Sequence, residues 1–141
     1  MITFYNEQIP FPFAGKKQSA KAQIKKLIEI ENKVAGDLCI IFCSDDFLLE
    51  INKKHLEHDY YTDVITFDYT VDETVAGDIF ISVDRVNENA QEYGVPFNHE
   101  LSRVIYHGVL HLCGYKDKSE EEAKIMREKE DFYLTTFSII Q

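Results

Sequence analysis

The chain has little of what marks secreted and membrane proteins. Its 141 residues include no tryptophan, 3 cysteines, 3 prolines and 6 glycines. A small, odd number of cysteines argues against a disulfide framework. The longest uninterrupted apolar run, Leu38 to Cys43, has 6 residues, whereas a membrane-spanning helix needs roughly 20, so such a helix is excluded. The first 15 residues contain no lysine or arginine, so we expect no secretory signal and a cytoplasmic protein.

Positive charge is also scarce. Lysine and arginine number 15 against 25 aspartates and glutamates, which gives a formal net charge of -10. Because affinity for phosphate backbones depends mostly on lysine and arginine, such a chain is a poor general binder of nucleic acids, and a local basic face or a metal would have to attract one. We expect no DNA partner and no membrane partner. The segment 16–33 is an exception, with 6 lysines against 2 glutamates. A solvated helix face is the common interpretation of such a segment, and a face that guides RNA is the alternative.

The hydrophobic pattern predicts one domain, residues 1–141, because no repeat, low-complexity tract or linker divides the chain. Its order of elements is typical of the α+β class, with a mixed β-sheet of about four strands and helices packed on it. The predicted elements, in chain order, are a strand at 1–5, a helix at 19–34, a strand at 37–43, a helix at 45–54, a hairpin of strands at 63–69 and 77–83, a short helix at 84–94, a long helix introduced by Pro96 and ending at 113, and a last helix at 119–133.

Small polar residues and one glycine mark the ends of these helices. Ser44 is expected to cap the second helix, and Asp84 or a neighbour the third. Ser119 and Glu122 form a capping-box pattern at the head of the last helix. Gly114 is expected to end the long central helix in a left-handed conformation.

The three cysteines are interpreted as buried thiols. Cys39 and Cys43 fall on one face of a predicted strand, where a two-thiolate metal site is the alternative. Cys113 follows His111 by two residues, so it points to another side of the helix and is also expected to be buried.

The stretch from His107 to Asp117 carries the chemistry. Four residues turn an α-helix slightly more than once, so His107 and His111 project from one face about 6 Å apart along the axis. Gly114 can reverse the chain and return Asp117 toward them. Each histidine alone would more often be a packed or surface residue, and Asp117 alone a carboxylate in a turn. Together the three predict a metal site at the C-terminal end of the long helix. Three protein ligands leave a fourth position open, as in catalytic zinc sites.

The spacing matches the zinc-binding pattern of metzincin peptidases, with a carboxylate in place of the last histidine. Such peptidases place a glutamate base directly after the first histidine, where this chain has Gly108, so peptide hydrolysis by that route is disfavoured. Glu100 and Arg103 are the candidate catalytic residues near this face. Glu100 could hold a histidine from outside the metal shell, and Arg103 could meet a phosphate, although a surface salt bridge is the commoner role.

The same run resembles the hallmark of the YbeY family of endoribonucleases, His-Gly-x-Leu-His-Leu-x-Gly-Tyr-Asp-His. The similarity extends over residues 51 to about 133. Further segments that resemble family signals, in the family's order, are Ile51-Asn52, Thr62 to Phe67, Gly77 to Ser82, and Met126 to Glu130.

This resemblance implies a metal-dependent enzyme that hydrolyses phosphodiesters in single-stranded RNA, acting in rRNA maturation and ribosome quality control. It implies one Zn²⁺ per chain on His107, His111 and Asp117. The implied partners are rRNA and the ribosome or its associated proteins. A cleft between the end of the long helix and the strand from Thr62 to Phe67 is expected to admit a flexible strand more easily than a duplex.

The chain departs from the family pattern at two places. Asp117 stands where the family normally has its third histidine, and Lys116 precedes it in place of an aspartate. A carboxylate lowers the charge of the site by one, which is expected to make the metal a weaker Lewis acid. Leu56 stands where the family usually has an arginine. The nearby residues that could replace that phosphate contact are Lys54, His55 and His58.

Three other functions remain open at this point. One is a metzincin-like metallopeptidase, and another is a non-catalytic ribosome-associated factor in which the metal is structural. An Fe(II) oxygenase built on two histidines and a carboxylate is chemically possible but remote, since the ligands lie on a helix.

Overall fold

The computed structural model describes residues 1–13 and 15–137. The order of helices and strands confirms the predicted α+β class. The elements are β1 (Ile2–Asn6), α1 (Lys17–Ile30), β2 (Val34–Cys43), α2 (Asp45–Leu56), β3 (Val64–Asp68), β4 (Thr74–Ser82), α3 (Val83–Tyr93), α4 (Phe97–Leu112) and α5 (Glu120–Thr136). Among the described helices, none combines the length and apolar character needed to cross a membrane.

The four strands form one mixed sheet in the order β1-β2-β4-β3. β1 pairs with β2, and β2 with β4, in parallel. β3 runs antiparallel to β4, so the predicted hairpin is confirmed. This order leaves β3 at one edge of the sheet, beside α4, which packs against both β3 and β4.

Successive side chains of each strand point to opposite faces of the sheet, so its apolar residues are divided between the two faces. Leu38, Ile40 and Phe42 of β2 belong to the main core, together with the buried faces of α1 and α4. The opposite face carries a smaller cluster in which Cys43 packs with residues of α2 and β3. α4 is buried along most of its length, so its solvent-facing side is narrow.

Close approach of α4 to β4 depends on Gly108. A β-carbon built at Gly108 would lie 2.8 Å from Cγ2 of Ile79, which is closer than such atoms pack. The buried glycine therefore sets the depth at which α4 lies on the sheet. The same position cannot hold the glutamate base of a metzincin peptidase without displacing the helix.

Several predicted boundaries were wrong by three or four residues, the end of α5 at Thr136 rather than 133 among them. α1 was expected to continue to residue 34, but it ends at Ile30, and Val34 already begins β2. Asn32 adopts a positive φ of 62° there, a conformation that asparagine tolerates and that terminates the helix. β4 begins at Thr74 rather than at 77, so the hairpin connection is shorter than expected.

The predicted caps are largely confirmed. Ser44 accepts a hydrogen bond from the Phe47 amide, and Ser119 and Glu122 form a complete capping box. Ser82, a neighbour of Asp84, caps α3. Asp84 instead accepts a hydrogen bond from the Asp45 amide, which ties the starts of α2 and α3 together.

All three cysteines are free thiols. Cys43 is buried as predicted, and burial raises the pKa of its thiol to about 12. Cys39 and Cys113 are partly buried rather than buried as predicted. The one group of potential metal ligands within the described residues contains no cysteine, which disfavours the two-thiolate alternative.

Candidate metal centre

α4 brings two imidazoles together on its exposed side. His107 and His111 lie one turn apart, and their Nε2 atoms are 3.0 Å from each other. The rings meet nearly edge to face, at an interplanar angle of 82°. Both side chains are partly buried, with 17% and 24% of their surface exposed. The helix therefore presents two ring nitrogens to one point in space.

The loop after α4 brings in a carboxylate. Gly114 adopts a positive φ of 109°, as its position predicts, and the chain turns back at this point. Asp117 Oδ2 then lies 3.2 Å from His107 Nε2 and 3.4 Å from His111 Nε2. The structure thus brings His107, His111 and Asp117 together as a group that could hold a metal ion.

The far nitrogen of each ring is held by an acceptor. His107 Nδ1 lies 2.6 Å from Oε2 of Glu130, and His111 Nδ1 lies 2.9 Å from the carbonyl oxygen of Tyr115. A carbonyl or an ionised carboxylate can only accept, so both Nδ1 atoms must carry the proton. In the neutral rings both Nε2 atoms are then bare lone pairs.

Two Nε2 lone pairs and one carboxylate oxygen therefore face one another at 3.0–3.4 Å. Three acceptors at this separation repel one another unless a metal ion, or a proton on one ring nitrogen, lies between them. Ligand atoms about 2.05 Å from a tetrahedral Zn²⁺ would lie roughly 3.3 Å apart, which matches these distances. The donor set fits zinc in both chemistry and spacing.

Glu130 on α5 is buried, with 2% of its side chain exposed. Burial raises the pKa of its carboxyl, but the hydrogen bond with His107 and the charge of Arg103 outweigh burial, so the pKa lies below its ordinary value. Arg103 Nη1 donates to Glu130 Oε1 at 3.0 Å. Glu130 therefore stays ionised and orients His107.

Arg103 and Glu100 lie about one and two turns before His107 on α4. Arg103 donates to both oxygens of Glu100, at 2.8 and 2.6 Å, and Glu100 is almost fully buried. The carboxylate that holds His107 is Glu130, so Glu100 does not have the role in which it could have held a histidine. The salt bridge that was the commoner interpretation is present, but it is buried rather than at the surface. Sequence reasoning noted Glu130 only within a family-like segment, since a contact across 23 residues has no local signal.

The loop that carries Asp117 also contacts Glu31, through the hydroxyl of Tyr115. Glu31, which follows α1, accepts hydrogen bonds from the hydroxyls of Tyr115 and Tyr133 and from Lys129. Burial raises the pKa of the Glu31 carboxyl, but these three donors lower it by more, so it lies below its ordinary value. Glu31 is therefore an ionised acceptor beneath the loop.

A cleft of ≈ 290 Å³ opens beside the group. It lies between the end of α4 and the edge strand β3, where the sequence predicted a cleft. The residues that line it are Thr66, Asp68, His111, Leu112, Gly114, Tyr115, Lys116, Asp117 and Lys118. This opening gives solvent and a small ligand access to the side of the metal-ligating group.

Leu56 ends α2 and is 38% exposed, so no guanidinium occupies this position. Two of the three residues suggested as substitutes make ring contacts: His55 packs edge-on against Phe67, and His58 stacks on Tyr60. Lys54 and both histidines are exposed.

Comparison with known proteins agrees with the motif. The family model described as Endoribonuclease YbeY matches residues 2–138. A protein named Endoribonuclease YbeY from Flavobacterium psychrophilum is 48% identical over 141 residues, covering 100% of this chain and 99% of the relative. Its namesake from Parabacteroides distasonis is 48% identical over 130 residues, covering 92% and 91%.

The fold has a solved counterpart. The solution structure of TM1509 from Thermotoga maritima superposes with a TM-score of 0.67 at 31% identity, covering 95% of this chain and 87% of that one. Sequence, family model and fold agree over nearly the whole length. The chain therefore belongs to the YbeY endoribonuclease family.

Proposed function

We propose that this chain, as one domain of residues 1–141, is a zinc-dependent endoribonuclease that hydrolyses phosphodiesters in single-stranded RNA. One Zn²⁺ would be held by His107, His111 and Asp117. The observation that carries this proposal is the convergence of two Nε2 lone pairs and one carboxylate oxygen at 3.0–3.4 Å. Outer contacts favour a proton on each Nδ1, so both Nε2 atoms and the carboxylate oxygen can ligate a metal ion, which would relieve their mutual repulsion.

Zinc at this site would supply Lewis acidity toward a phosphoryl oxygen and would lower the pKa of a coordinated water. The chain's own residues hold the ligands in place. Glu130 keeps the proton on His107 Nδ1, and Arg103 keeps Glu130 ionised. We therefore assign Arg103 and Glu100 to positioning rather than to direct contact with phosphate, since three carboxylates surround the guanidinium.

The cleft supports a single strand as the substrate. At ≈ 290 Å³ it lies at the small end of ligand pockets, which suits one nucleotide better than a base pair. Lys116 and Lys118 at its rim are exposed, where they can meet phosphates on either side of the scissile bond. These two lysines balance the carboxylates of Asp68 and Asp117 in the same cleft.

The biological setting rests on the family. The curated relatives carry the name endoribonuclease, and the family resemblance implies rRNA as the substrate. We accordingly propose a role in rRNA maturation and ribosome quality control in the cytoplasm, with the ribosome or its associated proteins as partners.

Two alternatives are less well supported. A metallopeptidase of the metzincin kind needs a base where Gly108 packs against Ile79. In a non-catalytic factor the metal would only stabilise the fold, yet catalytic zinc sites have three protein ligands and an open position, as here. An assay with both RNA and casein separates the peptidase from the nuclease.

The decisive experiment combines metal content with RNA cleavage. Protein purified without chelator should contain about one zinc per chain and cleave a single-stranded RNA oligonucleotide, and Asp117→Asn should lose both properties. Asp131→Asn, an isosteric change at an exposed carboxylate on α5, is the matched control and should keep both. Zinc in the parent without any RNA cleavage would favour the non-catalytic factor, and absence of zinc would refute the metal site.

A further inference from the structure

The edge strand β3 runs alongside the part of α4 that carries the two histidines. Two contacts mark the ends of this stretch. Arg103 Nη2 lies 3.7 Å from Asp63 Oδ2 just before β3, and Thr70 Oγ1 donates to the Leu112 carbonyl, at 3.4 Å, just after it. Because His107 and His111 lie between Arg103 and Leu112 on α4, β3 runs beside the helical part of the candidate metal centre.

The pairing with β4 shows which backbone groups of β3 are used. The Ser82 amide donates to the Asp63 carbonyl, and the Tyr69 amide donates to the Ala76 carbonyl. In an antiparallel pair every second residue bonds to the partner strand, and the residues between them point away from it. The β3 residues that turn both N–H and C=O to the free edge are Val64, Thr66 and Asp68.

The side chains of these residues lie on the face of the sheet that α4 covers. Val64 packs against the main core, while Thr66 and Asp68 line the cleft together with His111 and Asp117. Backbone and side-chain groups of the same two residues thus meet at the mouth of the site. Among the described strands, none pairs with this edge.

We propose that the free edge of β3 is the track on which the substrate RNA strand lies beside the metal centre. The outward amides of Thr66 and Asp68 donate to phosphate oxygens, and the outward carbonyls accept from ribose 2′-hydroxyls, which DNA lacks. This inference rests on the proposed endoribonuclease function and adds the surface that holds the strand in position.

Charge and shape favour RNA over an extended peptide on this edge. Lys116 and Lys118 offset Asp68 and Asp117 in the cleft, so a bound divalent cation leaves the site with net positive charge. A strand-adding peptide gains its specificity from apolar pockets for alternate side chains. Among the described residues that line the cleft, Leu112 alone is aliphatic.

The test is an amide titration of the zinc-loaded protein by NMR. The ligand is a single-stranded RNA hexamer with phosphorothioate linkages, which resist hydrolysis, and an uncharged extended hexapeptide is the comparison. We expect the RNA to shift the amides of Thr66 and Asp68 well beyond those of Ile65 and Phe67, whose N–H groups point to β4. Shifts caused by the peptide alone, or absent with both ligands, would overturn the proposal.

A pair of variants at Thr66 gives a kinetic test. Proline is tolerated on an edge strand where its missing N–H faces outward, so Thr66→Pro deletes the donor and leaves the ladder intact. Thr66→Val keeps the N–H and loses only the hydroxyl. We expect the proline variant to raise KM for RNA about tenfold at unchanged zinc content, and the valine variant to raise it less. Equal KM values for the two variants would count against the backbone contact.

The outcomes separate this inference from the function on which it rests. A parent protein that binds zinc and cleaves RNA, but whose Thr66 and Asp68 amides do not respond to RNA, refutes the track and retains the nuclease. A parent that neither binds zinc nor cleaves RNA refutes the function and the track together.

Discussion

Tyr115 and Glu31 lie 84 positions apart in the chain, yet the tyrosine hydroxyl donates a 2.6 Å hydrogen bond to Glu31 Oε1. The backbone carbonyl of the same tyrosine accepts from His111 Nδ1 at 2.9 Å. One residue therefore connects the end of α1 to a candidate metal ligand. Since Asp117 follows two residues later, this contact also positions the loop that supplies the third ligand.

Tyr115→Phe is expected to weaken zinc binding about tenfold, because it frees the loop while keeping the carbonyl that His111 needs. Tyr133→Phe is the matched control, since it removes another hydroxyl that donates to Glu31 but lies on α5, outside the loop that carries Asp117. Zinc affinity is measured by competition with a chromophoric chelator. If both variants weaken zinc binding equally, Tyr115 acts on stability in general and not on the loop.

Low pH should reduce the free energy of unfolding partly through protonation of Glu31. The pKa of this carboxyl is lower in the folded state than its ordinary value of 4.5, so its contribution to stability is present above that pH. The contribution disappears as the pH falls through the folded-state pKa. Urea unfolding of metal-free parent and Glu31→Gln should therefore show a difference in free energy of unfolding at pH 6 that shrinks toward pH 3. A difference that is constant with pH would contradict this assignment.

Glu130→Gln is expected to lower zinc affinity between about tenfold and a hundredfold, because the neutral amide no longer fixes the proton on His107 Nδ1. Glu128→Gln makes the same chemical change at an exposed site on the same helix and should leave the affinity unchanged. Isothermal titration with Zn²⁺ measures both. A Glu130 variant with the affinity of the parent would show that the carboxylate only stabilises the packing of α5 on α4.

Local patterns predicted the parts of this site that lie close together in the sequence. The spacing of His107 and His111 and the positive φ of Gly114 follow from helix geometry and glycine chemistry alone. Asp117 follows from the chain reversal that this glycine allows. The fold class and most caps were likewise visible from short stretches of sequence.

Long-range contacts could not be predicted in this way. Glu31 contacts the loop that carries Asp117, and Glu130 contacts His107, only because α1, α4 and α5 pack together. The sequence around a glutamate does not indicate which distant residue it will contact. Glu100 was chosen for its helical spacing from His107, yet Arg103 lies nearer on the same helix and binds both of its oxygens. Tertiary packing thus selected the carboxylate from α5 over the one from α4.

The packing of Gly108 against Ile79 can be tested through its effect on stability, because it joins the helix that carries the metal ligands to the sheet. Alanine is favoured over glycine in a helix by about 1 kcal/mol, so an unobstructed Gly108→Ala would stabilise the protein. The structure places the added carbon 2.8 Å from Ile79 Cγ2, so we expect a net loss of about 1–3 kcal/mol in the free energy of unfolding instead.

The variant Ile79→Ala removes the obstructing atoms, although it destabilises the protein by itself. In that background Gly108→Ala should destabilise the protein much less or should stabilise it. Urea denaturation of the parent, both single variants and the double variant measures this coupling. Additive effects of the two substitutions, or a stabilised Gly108→Ala, would show that the glycine does not set the depth of α4 on the sheet.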